Sequence, residues 1–365
     1  MDNNHKIRIG ITQGDTNGVG YEVILKAFED PAMFDLCTPI VYGSAKVASY
    51  HRKSLNLNTN FTAIGSASEA APGRLNIVNV LEGETKVELS KPTAEAGMAA
   101  YKALEWAVKD AKEGLFDALV TAPINKNTIQ NEGFHFSGHT EYLEERLGEG
   151  QKSLMILMKG DLRVALVTNH LSIAQIPAAI TKERIKEKAE ILNRSLKQDF
   201  GKGRPRIAVL ALNPHAGDNG LLGTEEQEII RPAIDELNAG GIYCFGPYAA
   251  DGFFGSERIA QFDAILAMYH DQGLAPFKAL CMEEGVNYTA GLPVVRTSPA
   301  HGTAYDIAGK GIASPESFRQ ALYSAIDIFR TRQADEYARR NPVRKQPAHS
   351  REDNERAPKN TEEKE

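Results

Sequence analysis

The chain has 365 residues, 42% of them hydrophobic and 25% charged, a composition that fits a folded globular protein of about two domains. Its net charge of −6 argues against a nucleic-acid binder, and no apolar run approaches the ~20 residues of a membrane span. The 3 cysteines, Cys37, Cys244 and Cys281, are far apart and form no CxxC, which argues against a disulfide framework or a thiolate zinc site and for reduced thiols in the cytoplasm.

The first residues, MDNNHKIRIGIT, lack the apolar core of a signal peptide, in keeping with a cytoplasmic location. KIRIGIT (6–12), TPIVYG (38–43), LNIVNV (75–80) and DALVTAP (117–123) are rich in Ile and Val and read as strands. Between the last two, Thr93 to Gly114 reads as a helix with Gly at its end. SLMILMKGDLRVALVTNH (153–170) predicts two strands joined by a turn at Lys159-Gly160-Asp161, an antiparallel element in an otherwise α/β chain. A helix opens at Thr181, and Thr224 with Gln227 predicts a capping box for another. Ser314-Pro315 predicts a third helix start, before ESFRQALYSAIDIFR. Such alternation implies a largely parallel sheet covered by helices. From Asn341 to Glu365 there are 12 charged residues, three Pro and no aromatics, which predicts a disordered tail.

Three of the nine histidines occupy similar places. LRVALVTNH ends at His170, RIAVLALNPH at His215 and AILAMYH at His270. Ligands bind beyond the carboxyl ends of strands in open α/β sheets, and three imidazoles there could hold one divalent metal. Each could equally cap its strand, and the residues alone leave both readings open. Asn169, Asn213, Asp218, Asp271 and Gln272 could orient the imidazoles or meet a substrate. In this reading Asp271-Gln272-Gly273 turns the chain back over the site. SGHTEYL places Gly138-His139-Thr140 before a helix, whose free N–H groups suit a phosphate. Lys278, Asn287 and Arg296 add cationic and polar groups for an anionic substrate. The loop TQGDTNGVG (12–20) matches no nucleotide-binding fingerprint; its glycines hint at a close approach of backbone and ligand.

TAPINK, SGHTEYL, LNPHAGDNGLLGTEE, GPYAADGFF, MYHDQGLAPFK and RTSPAHGTAYDIAGKG together resemble the 4-hydroxythreonine-4-phosphate dehydrogenase family of vitamin B6 biosynthesis, over about residues 6–331. The resemblance implies an α/β chain of the isocitrate/isopropylmalate dehydrogenase-like fold, not a Rossmann fold, with two α/β domains and the active site in the cleft between them. The expected division is residues 1–130 plus 285–335 as the first domain and 131–284 as the second, which carries the metal and dimer contacts. It further implies a homodimer whose sites are shared between subunits, with His270 expected to serve the partner's site. By motif match, His170, His215 and His270 fall on the metal ligands. His139, Thr140, Lys278, Asn287 and Arg296 fall on substrate-binding positions, His301, Gly302 and Asp306 on the cofactor loop, and Asp251 and His139 are the candidate catalytic groups. The implied reaction is the oxidation of 4-phosphohydroxy-L-threonine by NAD (or NADP) with a Zn, Mg, Mn or Co ion, to a β-keto acid that loses CO2 to give 3-amino-2-oxopropyl phosphate. A relative acting on threonate or erythronate 4-phosphate needs the same sites. A non-catalytic phosphometabolite-binding protein would have no reason to keep three such histidines beside a cofactor loop. The chain departs from the family at Thr16-Asn17 and Tyr21, where the family carries prolines, and it keeps Glu22.

Overall fold

The structure, a computed structural model, describes residues 6–340 apart from 82, 84 and 282. The expected charged tail and the first five residues lie outside the described residues.

Among the described residues twelve strands form one sheet: β1 (Arg8–Thr12), β2 (Thr38–Gly43), β3 (Phe61–Ile64), β4 (Leu75–Asn79), β5 (Ala118–Thr121), β6 (Leu154–Lys159), β7 (Leu162–Leu166), β8 (Arg206–Leu210), β9 (Tyr243–Tyr248), β10 (Ala264–Ala267), β11 (Val286–Ala290) and β12 (Val295–Pro299). Their spatial order is β3-β4-β2-β1-β5-β12-β11-β6-β7-β10-β8-β9. The helices are α1 (Gly20–Ala27), α2 (Met33–Leu36), α3 (Ala45–Ser54), α4 (Ala94–Lys112), α5 (His139–Leu147), α6 (Ile176–Ala179), α7 (Lys182–Gln198), α8 (Arg231–Ala239), α9 (Ala250–Phe254), α10 (His270–Cys281) and α11 (Glu316–Arg340). Among the described residues no helix is long and apolar enough to cross a membrane.

The six strands from β3 to β12 run parallel, as do β7, β10, β8 and β9. Antiparallel pairing of β12 with β11, β11 with β6 and β6 with β7 joins these two blocks and reverses their direction. The expected domain division would place β1–β5, β11 and β12 in one unit and β6–β10 in the other, within this one sheet.

Local sequence accounts for most elements. Ile9, Ile11, Val41, Ile77 and Val120 are buried, as parallel strands covered on both faces require. Thr93 and Thr181 cap α4 and α7 by accepting the backbone N–H of Ala96 and Arg184. The Ser314 hydroxyl likewise accepts the N–H of Glu316, and α11 continues past the expected stretch to Arg340. The capping box at Thr224 does not form: its carbonyl, not its hydroxyl, takes the N–H of Gln227 and Glu228. The first turn there is a π-helix, Glu226–Ile230, before Pro232, which has no N–H to continue an ordinary ladder.

A buried ionic group staples α7, β11 and α11 together. Asp199 accepts from Arg332 Nε at 2.6 Å, from the Tyr288 hydroxyl at 2.5 Å and from the Ser195 hydroxyl at 2.5 Å. The remaining Arg332 donors meet the Leu292 and Pro293 carbonyls and the Tyr288 oxygen. Every charge in the group is therefore paired away from water.

Candidate active site

Directly opposed residues on neighbouring strands point to the same face. Asn287 lies opposite Ser298 and Leu157, and Thr289 opposite Arg296 and Met155. All but Thr289 line a cleft of about 310 Å3, so its floor is one face of the antiparallel centre of the sheet. The two parallel blocks run in opposite directions, so their following loops leave the sheet at opposite edges. Lys126 after β5 and His301 and Gly302 after β12 reach over the floor from one side; Asn169 and His170 after β7 reach over it from the other. The first turn of α5, with Gly138, His139 and Thr140, and one face of α10 complete the walls.

The β5–β12 side carries a buried positive charge. Arg296 is buried and its donors meet only hydroxyls: Thr121 Oγ1 takes Nε at 3.1 Å and Nη2 at 2.6 Å, and Thr289 Oγ1 takes Nη1 at 3.0 Å. Among the described residues no carboxylate comes within ion-pair distance of it. Burial pulls its pKa down to about 9, which still leaves it charged at neutral pH. His139 sits beside it as the first residue of α5, behind Gly138, so the opening N–H groups of that helix face the cleft. Burial, then the Arg296 and Lys126 charges, hold the His139 imidazole neutral. Its Nε2, Oδ1 of Asn287 and Nε2 of His301 are shut away from solvent with no hydrogen-bond partner. Three such polar atoms stand in one cleft with a buried cation that has no carboxylate partner among the described residues.

The opposite side carries two imidazoles. The expected strand ends are shorter than read: β7 stops at Leu166, β8 at Leu210 and β10 at Ala267, and each histidine lies beyond. His270 opens α10 rather than ending a strand, and Asp271-Gln272-Gly273 is helix rather than a turn. Side chains four residues apart share a helix face, so His270, Leu274 and Lys278 all line the cleft along α10. Gly273 makes this possible: a Cβ there would come 2.8 Å from Leu166 and 2.9 Å from Val164 on β7. The His170 and His270 ring centroids are 5.8 Å apart. Asp271 Oδ1 accepts from His270 Nδ1 at 2.6 Å, which leaves Nε2 as the free lone pair, the usual orientation of a metal-ligating histidine. Lys126 Nζ lies 3.1 Å from His170 Nε2, and burial with that charge holds His170 neutral. Gln272 does not orient an imidazole; its amide ties the Met268 N–H to the Ala211 carbonyl between β10 and β8.

Three expected residues do not reach this cleft within one chain. His215 is exposed on a turn after β8, and among the described residues no three His, Cys, Asp or Glu side chains are placed to hold a metal. Asp251 lines a second cavity of about 410 Å3 with Asn213 and Pro214, the two residues before His215. Asp306 is exposed on the loop after His301. His215 and Ala216 have φ of 52°, a left-handed conformation that costs a residue with a side chain roughly 1–2 kcal/mol.

The glycine-rich loop 12–20 is buried, and its glycines pack closely against protein backbone. A Cβ on Gly14, at φ +70°, would lie 2.4 Å from the Pro123 carbonyl, and one on Gly18 would lie 2.7 Å from the Thr303 carbonyl. The Asn17 side chain, where the family departs, donates to the Lys91 carbonyl and the Thr93 hydroxyl and accepts the Glu88 N–H. Hydrogen bonds thus hold the loop that proline would stiffen. Tyr21 does similar work, its hydroxyl meeting Gln13 Oε1 and the Ser44 backbone. From beneath, Asp15 Oδ2 accepts the Tyr305 hydroxyl at 2.8 Å and anchors the expected cofactor loop. Tyr305, Thr121 and Thr289 went unnoticed in the sequence because each acts through a partner distant along the chain.

Residues 35–325 match the family model of the pyridoxal phosphate biosynthetic protein PdxA. A 4-hydroxythreonine-4-phosphate dehydrogenase of Bacteroides thetaiotaomicron is 67% identical over 96% of this chain and 97% of its own length. One from Sulfurihydrogenibium sp. is 42% identical over 89% of this chain and 99% of its own. Among solved structures, the 4-hydroxythreonine-4-phosphate dehydrogenase of Klebsiella pneumoniae superposes with a TM-score of 0.78 at 34% identity, covering 90% of this chain and 99% of that one.

Proposed function

We propose, from the premise that the chain belongs to the PdxA family of pyridoxal phosphate biosynthetic proteins and is an oxidoreductase, that its cleft oxidises 4-phosphohydroxy-L-threonine to a β-keto acid, which loses CO2 to give 3-amino-2-oxopropyl phosphate. The observation that carries this reading is Arg296, a buried cation with hydroxyl partners only, beside the orphaned Nε2 of His139 and Oδ1 of Asn287. A phosphate would take up the Arg296 guanidinium and an Nε2–H of His139, with the N–H groups of the first turn of α5 and, across the cleft, Lys278, while Asn287 Oδ1 would accept from a hydroxyl or ammonium group of the substrate. Neutral His139 serves there as a hydrogen-bond partner; a group held so far below its ordinary pKa is a poor proton acceptor at neutral pH.

NAD or NADP, held by His301, Gly302 and Asp306 on the loop that Tyr305 anchors, would accept the hydride. A divalent ion of the Zn, Mg, Mn or Co kind would supply Lewis acidity to the substrate's alcohol and carboxylate oxygens. His170 and His270 offer it imidazole nitrogens from one chain. The third would be His215 of a second copy, with Asp251 delivered by the same neighbouring surface as the candidate proton acceptor. In this reading His215, rather than His270, serves the partner's site. In support, Ile173 and Leu221, close in sequence to His170 and His215, are 82% and 78% exposed, apolar surface that a homodimer would cover.

Mixed dimers test the shared site. NADH formation from 4-phosphohydroxy-threonine, measured beside threonate 4-phosphate, should vanish in His170→Ala and in His215→Ala. Mixing the two variant chains should restore part of it, because one site per mixed dimer then has all three imidazoles. No restoration after subunit exchange would sink the shared-site reading, and preference for threonate 4-phosphate would sink the substrate.

A further inference from the structure

Five consecutive residues, His215 to Asn219, lie in the left-handed region, with φ of 52°, 52°, 75°, 41° and 57°. Gly217 is at ease there and Asp218 and Asn219 are tolerant, but His215 and Ala216 are not. Such a run persists only where its surroundings over-determine it. Here they do so through one buried carboxylate. Glu226 Oε1 accepts the backbone N–H of Leu212 and of Asn213, each at 2.8 Å, and Oε2 accepts Asn213 Nδ2 at 3.0 Å. A Cβ on Gly217 would lie 2.6 Å from Glu226 Oε2, so the same carboxylate fills the inner side of the turn. Glu226 itself opens the π-helical turn, an irregularity often found at functional sites.

We propose that Glu226 is the positioning residue for His215: it pins both the entry and the hollow of the left-handed turn, so the imidazole leaves the surface ready-aimed at a divalent cation. This deepens the proposed function and rests on His215 being a metal ligand. A ligand held in one orientation binds without first being ordered, and residues supporting a ligand typically alter affinity by about 10–100-fold when removed.

The test is calorimetric titration of metal-stripped, full-length protein with Mn2+, with light scattering to follow the dimer. We expect Glu226→Ala to weaken Mn2+ binding by about tenfold or more while the dimer and inorganic phosphate binding persist. Glu226→Gln keeps a carbonyl for the two backbone N–H groups and should recover most of the affinity. Wild-type affinity in Glu226→Ala overturns the proposal, and so does weakened binding that appears only with loss of the dimer. If Glu226→Ala does not fold, Gly217→Ala decides, with the same loss expected and wild-type affinity overturning it. His215→Ala separates the two readings. Wild-type affinity in that variant refutes the metal assignment itself, whereas weakened binding in it with none in Glu226→Ala refutes only the role of Glu226.

Discussion

Replacing Arg296 by methionine should stabilise the ligand-free protein and abolish its grip on phosphorylated substrate. Burial lowers the guanidinium from 12.5 to about 9. At about 1.36 kcal/mol per pKa unit, roughly 5 kcal/mol opposes folding with that charge in place. Methionine removes this penalty and fills similar space. It also gives up three hydrogen bonds to Thr121 and Thr289, worth about 1–1.5 kcal/mol each. The balance favours Arg296→Met by roughly 1 kcal/mol, or a rise in Tm of about 1–3 °C for a chain of this size. Substrate affinity moves the other way, falling about 100-fold or more once a charge-assisted phosphate contact of about 3 kcal/mol is lost. The assay is calorimetric unfolding of both proteins, with and without inorganic phosphate, beside KM for substrate and for NAD. The reasoning is refuted if Arg296→Met is the less stable protein in phosphate-free buffer, or if phosphate still raises its Tm as it does for the wild type. A cation retained at a cost to the empty protein is an instance of stability given up for binding.

Asp199→Ala should cost about 3–5 kcal/mol, because it leaves Arg332 buried and unpaired between α11 and β11; urea unfolding measures it, and a change below about 1 kcal/mol would mean water reaches that group. Burial lowers the pKa of His51, His139 and His301, so below about pH 6.5 the unfolded chain takes up protons that the folded chain refuses. Stability should therefore hold above that pH and fall as the pH drops toward the folded values. Tm followed from pH 7.5 to 5 checks this, and His51→Gln should flatten the slope. Asn17→Ala should destabilise by about 1–3 kcal/mol through the buried partners it orphans, with KM for phosphorylated substrate unchanged; an altered KM would bring the loop 12–20 into the binding site.

Strands with strong Ile and Val content, such as β1, β2, β4 and β5, were legible because burial on both faces demands that composition. β3, β9, β11 and β12 were not, since they carry Thr, Pro, Gly or charge that tertiary contacts tolerate; Arg296 sits mid-strand only because two threonine hydroxyls receive it. Helix starts were readable where a hydroxyl caps them, as at Thr93 and Thr181. At Thr224 the same pattern misled, because Pro232 breaks the ladder two turns on. The apolar run AILAMYH looks like one strand, yet its last residue opens α10, and periodicity over seven residues does not reveal such a change. Nine of the twelve expected residues nevertheless line one cleft. The division of His215 and Asp251 from the rest depends on strand direction and on a left-handed turn, neither of which is written in local composition.

The β11–β6 ladder has a mechanical consequence. It crosses the expected boundary between the two units with five paired positions, and its neighbour β12 carries Arg296. Spreading the units apart would mean rupturing main-chain hydrogen bonds directly under the proposed phosphate contacts. The ladder ties Arg296 and Asn287 into one floor, whereas Lys126, His170 and His301 stand on loops outside it. On the proposed function, substrate length would be gauged against this rigid floor, and tolerance for different ends would be set at the edges.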